Sequence, residues 1–529
     1  MIKETIEFGK TYLGMELGST RIKAVLTDES FNIFASGNHE WQNRYENGYW
    51  TYTLDDIHNG VKEAYSNLKR NVYDKYGVSF TTTGAIGISA MMHGYLVFDK
   101  DYNLLTPFRT WRNTTTEEAA QKLSEVFEFN IPQRWSIAHL YQAILDNEPH
   151  VSRISHITTL AGYIHYLLTG RFEVGIGDAS GIFPVIGNEY NAKMLDSFDL
   201  LVKEKSYPWK IRDILPNIRR AGEKGAYLTQ DGVKVLDSEA KLVQGIPVCP
   251  PEGDAGTGMV ATNSVLPKTG NVSAGTSAFA MLVLEKSLNR FYSQIDIVST
   301  PDGSPVAMVH CNNCCGELDT WVNIFEEFSK LFGCDINKSE LYSKLYNHAL
   351  TTECTEMVSY NYLSGEHITG IKEGMPMFYR NPETKLSLAG FIKSQLFSSI
   401  ATLKLGMDIL MENEVANADD FFAHGGLFKV TGVAQQILAD ALEVPVSVMD
   451  TLGEGGAWGA AILAGYMMNK NDVKLGDWLA ANVFSGKSIY KLSPCHKGTL
   501  EFKEYMKNYV KGLCMIRKMQ EENNDAGRA

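Results

Sequence analysis

The run YLGMELGSTRIKAVLTD, Tyr12 to Asp28, decides how this chain folds. An apolar stretch ends in Gly18, Ser19 and Thr20, and apolar and polar residues then alternate through Arg21, Ile22, Lys23, Ala24, Val25 and Leu26. That period of two predicts a pair of antiparallel strands, with Gly18 permitting the tight turn between them. Backbone N–H groups of a small-residue turn can face an anion. Ser19 and Thr20 beside Gly18 therefore form a candidate phosphate cradle, Lys23 adds positive charge, and Glu16 offers the hard oxygen that magnesium prefers. An ordinary surface hairpin would show the same pattern.

The pattern occurs twice. From Gly270 the chain reads GNVSAGTSAFAMLVLEK, with a Gly-Thr-Ser turn at Gly275 to Ser277 and a β-rich run to Leu284. Two such units about 250 residues apart predict two similar halves, each donating a phosphate-facing hairpin to one nucleotide held in a cleft between them.

A length of 529 residues is more than one hydrophobic core normally serves, so two large domains are expected. The 44% hydrophobic and 21% charged composition is that of a globular protein. A net charge of -13 opposes nucleic acid as a partner, because nonspecific binding feeds on clustered Lys and Arg. The first residues, MIKETIEFGK, contain no signal-peptide core, and no run reaches the roughly 18 apolar residues of a membrane span. All eight cysteines lie between Cys249 and Cys514, a poor disulfide framework that fits a reducing, cytoplasmic setting. The polar residues after Gln520 are expected to fray.

Along the chain, Phe31 to Glu40 reads as a third strand. Thr53 to Gly77 reads as a helix with a Thr53/Asp56 capping box and an apolar face of Ile57, Val61, Ala64, Leu68 and Val72. Ala85 to Ala90 is a short apolar strand emerging at MMHG, and Leu160 to Thr169 is a helix closed by Gly170. The Gly-rich VGIGDASGIFPV, with Asp178 and Ser180, reads as a connector. FFAHGG and the following residues read as strand, glycine pair, a helix from about Thr431 to Glu443, then strand, and GEGGAWGAAILAGYM repeats the step from glycine turn into small-residue helix. Strands alternating with helices imply an α/β layering in which ligands gather where strands end.

Several tempting motifs fail on context. SGKS at Ser485 to Ser488 lacks the first P-loop glycine, since position 481 is Ala481. Gly256, Gly258 and Ala261 have the spacing GxGxxA, but CPPEGDA before them is a poor strand for a dinucleotide turn. HCNNCC, His310 to Cys315, contains one CxxC without a second knuckle, so buried free thiols are favoured over a zinc or iron–sulfur site.

PPEGDAGTGMVAT is more informative. Two prolines stiffen the approach, Gly253 turns the chain, and Asp254 stands where a helix through Met259 and Val260 can begin. Asp254 is an N-cap candidate, and the positive end of a helix would also hold it ionised as a proton acceptor for a hydroxyl.

With these residues in place, the chain resembles the FGGY family of carbohydrate kinases, xylulokinase-like members in particular. It carries ELGSTRIK, MHG, TWRN, GDASG, GDAGTG, GTSA, HGG followed by AD, and GAWGAAILAG in the family's order from Glu16 to Gly465. The resemblance implies an α/β protein of two RNase H-like, actin-like ATPase domains with an interdomain cleft. They would be an N-terminal domain over 1–264 with the sugar site and catalytic base, a nucleotide-binding domain over 265–510, and a tail over 511–529. It implies transfer of the ATP γ-phosphoryl group, with Mg2+, to a hydroxyl of a ketose or polyol, a xylulose-like sugar first, and a possible homodimer. Asp254 matches the general base, Met92 and His93 of MHG match sugar contacts, and Trp111 and Asn113 fall in the region that walls the sugar. Gly275 and Thr276 match the second phosphate hairpin, and Gly425 and Gly426 the turn beside adenosine.

Two departures stand out. The family's usual Asp at position 16 is Glu here, and the usual Gln before MHG is Met91. Magnesium demands near-ideal geometry, so one added methylene matters. Retained metal function through adjusted water coordination is expected, because GSTRIK around Glu16 is intact. Two other readings stay open: an actin-like ATPase that regulates another protein, for which the Cys311 to Cys315 fragment could hold a cluster, and a sugar-binding pseudokinase.

Overall fold

The computed structural model describes residues 2–414, 416–449 and 455–526. The opening hairpin forms with the expected bounds: β1 (Thr11–Leu17) and β2 (Arg21–Asp28) are antiparallel, Glu16 standing opposite Lys23 and Leu17 opposite Ile22. β3 (Ile33–Glu40) extends the ladder on the far side of β2. The helix Leu54–Tyr76 follows. Its capping box is complete, Thr53 accepting the Asp56 N–H at 3.1 Å and Asp56 accepting the Thr53 N–H at 3.0 Å, and it stops at left-handed Gly77. Its face of Ile57, Val61, Ala64, Leu68 and Val72 is buried in the core beneath the sheet. β4 (Ala85–Ala90), buried along its whole length, lies parallel to β1.

The remaining strands of this sheet are fragments. Pro247–Val248 and Glu252–Gly253 each run parallel to β4, and Ala226–Tyr227 pairs antiparallel outside the former. The approach to Asp254 is therefore strand after all, interrupted by Pro250 and Pro251, whose missing N–H groups cannot serve a ladder.

The second unit repeats the plan. β5 (Thr269–Ala274) and β6 (Ala278–Val283) form its hairpin, β7 (Pro305–Cys311) lies beyond β6, and β8 (Asp420–His424) runs parallel to β5. β9 (Val446–Val448) is parallel to β8, and β10 (Tyr490–Leu492) is antiparallel to β9. Setting aside the outermost strand of the second sheet, Asp296–Ser299, both sheets have the same order: a strand beside the hairpin, the two hairpin strands, two strands parallel to the first of them, and an antiparallel edge, so two similar halves are present.

The halves are not contiguous in sequence. One compact unit takes residues 2–266, 296–306 and 455–487, and the other takes 267–295, 307–449 and 488–526. Grouping by contacts differs from a single division after residue 264 in placing the helix Gly455–Asn469, which packs flat on β1 and β4, with the first unit. The cause is written in two strand glycines: a Cβ on Gly14 would lie 2.0 Å from the Ala457 carbonyl oxygen, and one on Gly87 2.0 Å from that of Ala460. Only glycine admits such backbone contact. The helix His496–Ala526 runs on past residue 511, with Phe502, Tyr505, Tyr509, Leu513 and Ile516 buried at helical spacing. Residues 527–529 lie outside the described residues, as do glycine 453 and the rest of 450–454, so the start of the GEGG turn is not described. No described helix is long and apolar enough to cross a membrane.

Candidate active site

Asp254 opens the helix Asp254–Ala261, with Gly253 as its N-cap. It is the first helical residue and not the cap. The half-buried Asp254 accepts two backbone N–H groups on Oδ1, from Met92 at 3.2 Å and from Ala255 at 3.0 Å. Those donors favour the anion, yet loss of solvent outweighs them and pushes the carboxyl up to about 6. Such a group is ionised near neutrality and holds a proton well when offered one.

Around it the Gly-rich loop does more than connect. Glu252, 1% exposed, sits among Gly175, Gly177 and Gly256, where an added Cβ would lie 2.2, 2.5 and 3.3 Å from its carboxylate oxygens. It accepts the N–H of Gly177 at 3.3 Å and of Asp178 at 3.0 Å. Burial, and then the Asp178 charge, push its carboxyl well above the usual range. Asp178 is fully buried; Oδ2 is hydrogen-bonded to the Thr159 hydroxyl, while Oδ1 has no hydrogen-bond partner among the described residues. Burial pushes Asp178 up to about 7, against the Thr159 bond, with the Asp254 charge adding to the rise. Sequence reasoning missed Glu252 and took Asp178 for part of a connector. Its available signal was the clustering of small residues in VGIGDASG and GDAGTG, which marks close approach as well as turns.

His93 is next to this group. Its Nδ1 lies 3.2 Å from the Gly181 carbonyl oxygen, its ring stacks on Trp135 at 6.1 Å between centroids, and its backbone has a φ of 67°. A Cβ on Gly181 would fall 2.5 Å from Nδ1, so that glycine makes room for the ring. Met92 lies over Gly253, its Cγ 2.1 Å from where a Cβ would be. The structure thus brings Met92, His93 and Asp254 together.

At the first turn, the Gly18 N–H donates to the Arg21 carbonyl at 3.0 Å, which closes the hairpin and removes that donor from the cradle. The Trp41 indole donates to the Gly18 carbonyl at 2.7 Å and the Tyr52 hydroxyl to the Ser19 carbonyl at 2.5 Å, while the two rings stack at 4.1 Å. Exposed Trp111 donates to the Ser19 hydroxyl at 3.1 Å, which ties the TWRN segment to the turn. Thr20 is exposed and Lys23 half-buried opposite Glu16. Asn113 departs from expectation: its amide accepts the Trp50 N–H at 2.8 Å and donates to the carbonyls of Trp50 and Thr110 at 2.9 Å each. It is 2% exposed, and both of its amide hydrogens are committed to backbone carbonyls.

In the second unit Gly275 closes its turn through an N–H donated to the Ser277 carbonyl at 2.9 Å, and Thr276 is exposed at the tip. Gly425 stands beside this turn with a φ of 106°, where a Cβ would lie 2.3 Å from the Ala274 carbonyl oxygen; Gly426 follows, exposed. The N–H groups of Cys314 and Cys315 donate to the Thr276 and Gly275 carbonyls at 2.9 Å each. The HCNNCC segment therefore buttresses the hairpin. Cys311, Cys314 and Cys315 are buried thiols, and among the described residues no group of three His, Cys, Asp or Glu is arranged to hold a metal.

The buried acids make stability depend on pH. Asp178 titrates near 3.8 in the unfolded chain and near 7 in the folded one, so between those values the folded state keeps a proton that the unfolded chain has released. Stability from this group therefore falls as pH rises through that window and the loss is complete above it. Asp254 acts in the same direction up to about 6. Asp178→Asn keeps an acceptor for Thr159 and removes the titration. Urea unfolding is expected to show the variant losing about 2–3 kcal/mol less than wild type between about pH 5 and pH 8. Parallel pH profiles would refute this account of Asp178.

The model of the FGGY family of carbohydrate kinases, N-terminal domain, matches residues 11–261, and that of the C-terminal domain matches residues 270–468. A xylulose kinase of Lactococcus lactis is 21% identical over 283 residues, 50% of this chain and 52% of the relative. A glycerol kinase of Thermococcus onnurineus is 24% identical over 284 residues, 51% of this chain and 53% of the relative. The chain spans about half the length of the curated relatives it matches. The crystal structure of a ligand-bound xylulose kinase from Lactobacillus acidophilus superposes with a TM-score of 0.76 at 17% identity, over 96% of this chain and 98% of that one. The fold is thus the two-domain, actin-like ATPase fold. With both domain models matched in order across most of its length, the chain belongs to the FGGY family of carbohydrate kinases.

Proposed function

We propose that the protein is an ATP-dependent carbohydrate kinase that phosphorylates a hydroxyl of a ketose or polyol, with a xylulose-like sugar as first candidate. The observation that carries the reading is Asp254: a carboxyl held by the Met92 and Ala255 N–H groups, with a proton affinity raised toward neutrality, next to His93. Asp254 takes the proton from the sugar hydroxyl as that oxygen bonds to the γ-phosphorus, and the bond from phosphorus to the ADP oxygen breaks. Met92 and His93 orient the sugar, with Trp111 as a wall beside the Ser19 turn. Ser19, Thr20 and Lys23 hold phosphate oxygens, as do Gly275 and Thr276, while Gly425 and Gly426 lie against the nucleoside.

Glu16 fits a magnesium ion by the chemistry of its donor: a half-buried carboxylate at the end of β1, opposite a lysine that also suits phosphate. The metal, when bound, neutralises phosphate charge. Domain roles follow the same lines, with the base and sugar contacts on the first unit and the nucleotide turn on the second.

The test is coupled ADP release across a panel of ketoses and polyols. Sugar-stimulated release is expected, and ATP turnover indifferent to every member would sink the reading. In the responsive pair, His93→Ala is expected to raise the sugar KM about tenfold with the ATP KM little changed, the size of one lost hydrogen bond to a bound ligand. Equal changes in both constants would remove His93 from the sugar site.

A further inference from the structure

The longer acid at position 16 has a partner that makes room for it. In β1 the side chains of residues 14 and 16 point to one face, since strand side chains repeat every second residue. Gly14 on that face meets the helix Gly455–Asn469 directly, through the Ala457 carbonyl and the Ala461 nitrogen. Glu16, one repeat further on, meets the helix at its first turn. A Cβ built on Gly456 would lie 2.4 Å from Glu16 Oε1 and 2.6 Å from Cδ, closer than real side chains approach. The same Cβ would stand 3.2 Å from the Thr257 hydroxyl, which is itself bonded to Ser89 Oγ at 2.7 Å.

Thr257 connects this spot to the catalytic helix. It is the fourth residue of the helix that begins with Asp254, and its carbonyl oxygen lies 2.1 Å from where a Cβ on Gly459 would be. One turn of the helix Gly455–Asn469, made of Gly456 and Gly459, is thus pressed against both the Glu16 carboxylate and the helix that carries Asp254. Gly14, Gly87, Gly456 and Gly459 allow this approach because none has a Cβ.

We propose that Gly456 is a positioning residue for the divalent cation: the space left by its missing side chain fixes where the Glu16 carboxylate lies, and so where this chain offers its hard oxygen to the metal. The inference rests on the kinase reading for the identity of the metal, and on the Glu16–Gly456 contact alone for the pairing. A methyl group at 456 would meet the far end of a flexible side chain, so the carboxylate would swing aside and the backbone would stay. A shorter acid at position 16 draws the carboxylate back from the methyl group by one methylene.

The experiment uses the full chain in four forms: wild type, Gly456→Ala, Glu16→Asp, and the double variant. Two readouts are taken, melting temperature without metal, and the magnesium concentration that gives the half-maximal thermal shift in the presence of ADP. Gly456→Ala is expected to melt close to wild type in the absence of metal and to need about 10–100-fold more magnesium, the range for a residue that orients a metal ligand. Added to Glu16→Asp, the same substitution is expected to change the magnesium requirement by less than about threefold. An equal penalty in both backgrounds, or no penalty in either, would overturn the proposal. If Gly456→Ala does not fold, a double variant that folds supports the contact and one that does not fold overturns it. A wild-type protein whose melting ignores magnesium and ADP together would instead overturn the kinase reading and the metal assignment with it, a result distinct from background-independent behaviour of Gly456.

Discussion

Asp254→Asn is expected to lower turnover with the responsive sugar by about 10²–10⁴-fold while ADP affinity stays within about threefold of wild type. Asparagine has nearly the same shape, and its side-chain oxygen can still accept the N–H groups of Met92 and Ala255, so the start of the helix is retained. What disappears is the proton acceptor. The wild-type rate should rise with pH through about 6 as the carboxyl loses its proton, and the residual rate of the variant should lack that rise. Melting temperature should hold or increase, because a poorly solvated charge has been removed. Coupled ADP release, an ADP titration, a pH profile and a thermal melt give the four readings. Turnover within tenfold of wild type would show that another group takes the proton.

The parts of the fold that were legible are those whose cause is local. The first hairpin follows from alternation ending at Gly18, and the helix Leu54–Tyr76 follows from a capping box and a 3.6-residue apolar repeat, all within a few residues of each other. The helix Leu160–Thr169 ended at Gly170, as expected, in the left-handed conformation. What escaped was set by contacts distant in sequence. The helix Gly455–Asn469 belongs beside β1 because Gly14 and Gly87 have no Cβ, and a mid-strand glycine does not say which segment comes close. The local sequence of Asp254 predicts an N-cap, but the two-residue pairing of Glu252–Gly253 with β4 places the cap at Gly253. Asn113 lies in a segment that matches a family motif, yet its amide is held by the backbone of Trp50, more than sixty residues away. A motif gives a residue's place in the chain, whereas its hydrogen bonds depend on segments far away in sequence.

Glu252 is expected to be the most structurally sensitive acid in this neighbourhood, although no part of the chemistry passes through it. Its carboxylate stands in a pocket bounded by Gly175, Gly177 and Gly256 and accepts the N–H groups of Gly177 and Asp178. Glu252→Ala would leave these two buried donors unpaired, at about 1–3 kcal/mol each, and open a cavity that the three glycines cannot fill. A loss of about 3–5 kcal/mol in urea unfolding is expected, larger than the effect of Asp178→Asn and opposite in sign at neutral pH. The helical turn Ile176–Ala179 would also loosen, because Glu252 ties its backbone to the strand entering Asp254. Since Asp178 belongs to that turn and the N–H of Gly181, just beyond it, donates to the Asp178 carbonyl, the sugar KM should rise even in the fraction that stays folded, with the ATP KM nearly constant. Gln at this position keeps one acceptor but turns an amide donor toward N–H groups that are themselves donors, so Glu252→Gln should recover only part of the stability. A Glu252→Ala protein as stable as wild type would mean that water replaces the carboxylate without loss, and that the glycines of VGIGDASG serve the turn alone.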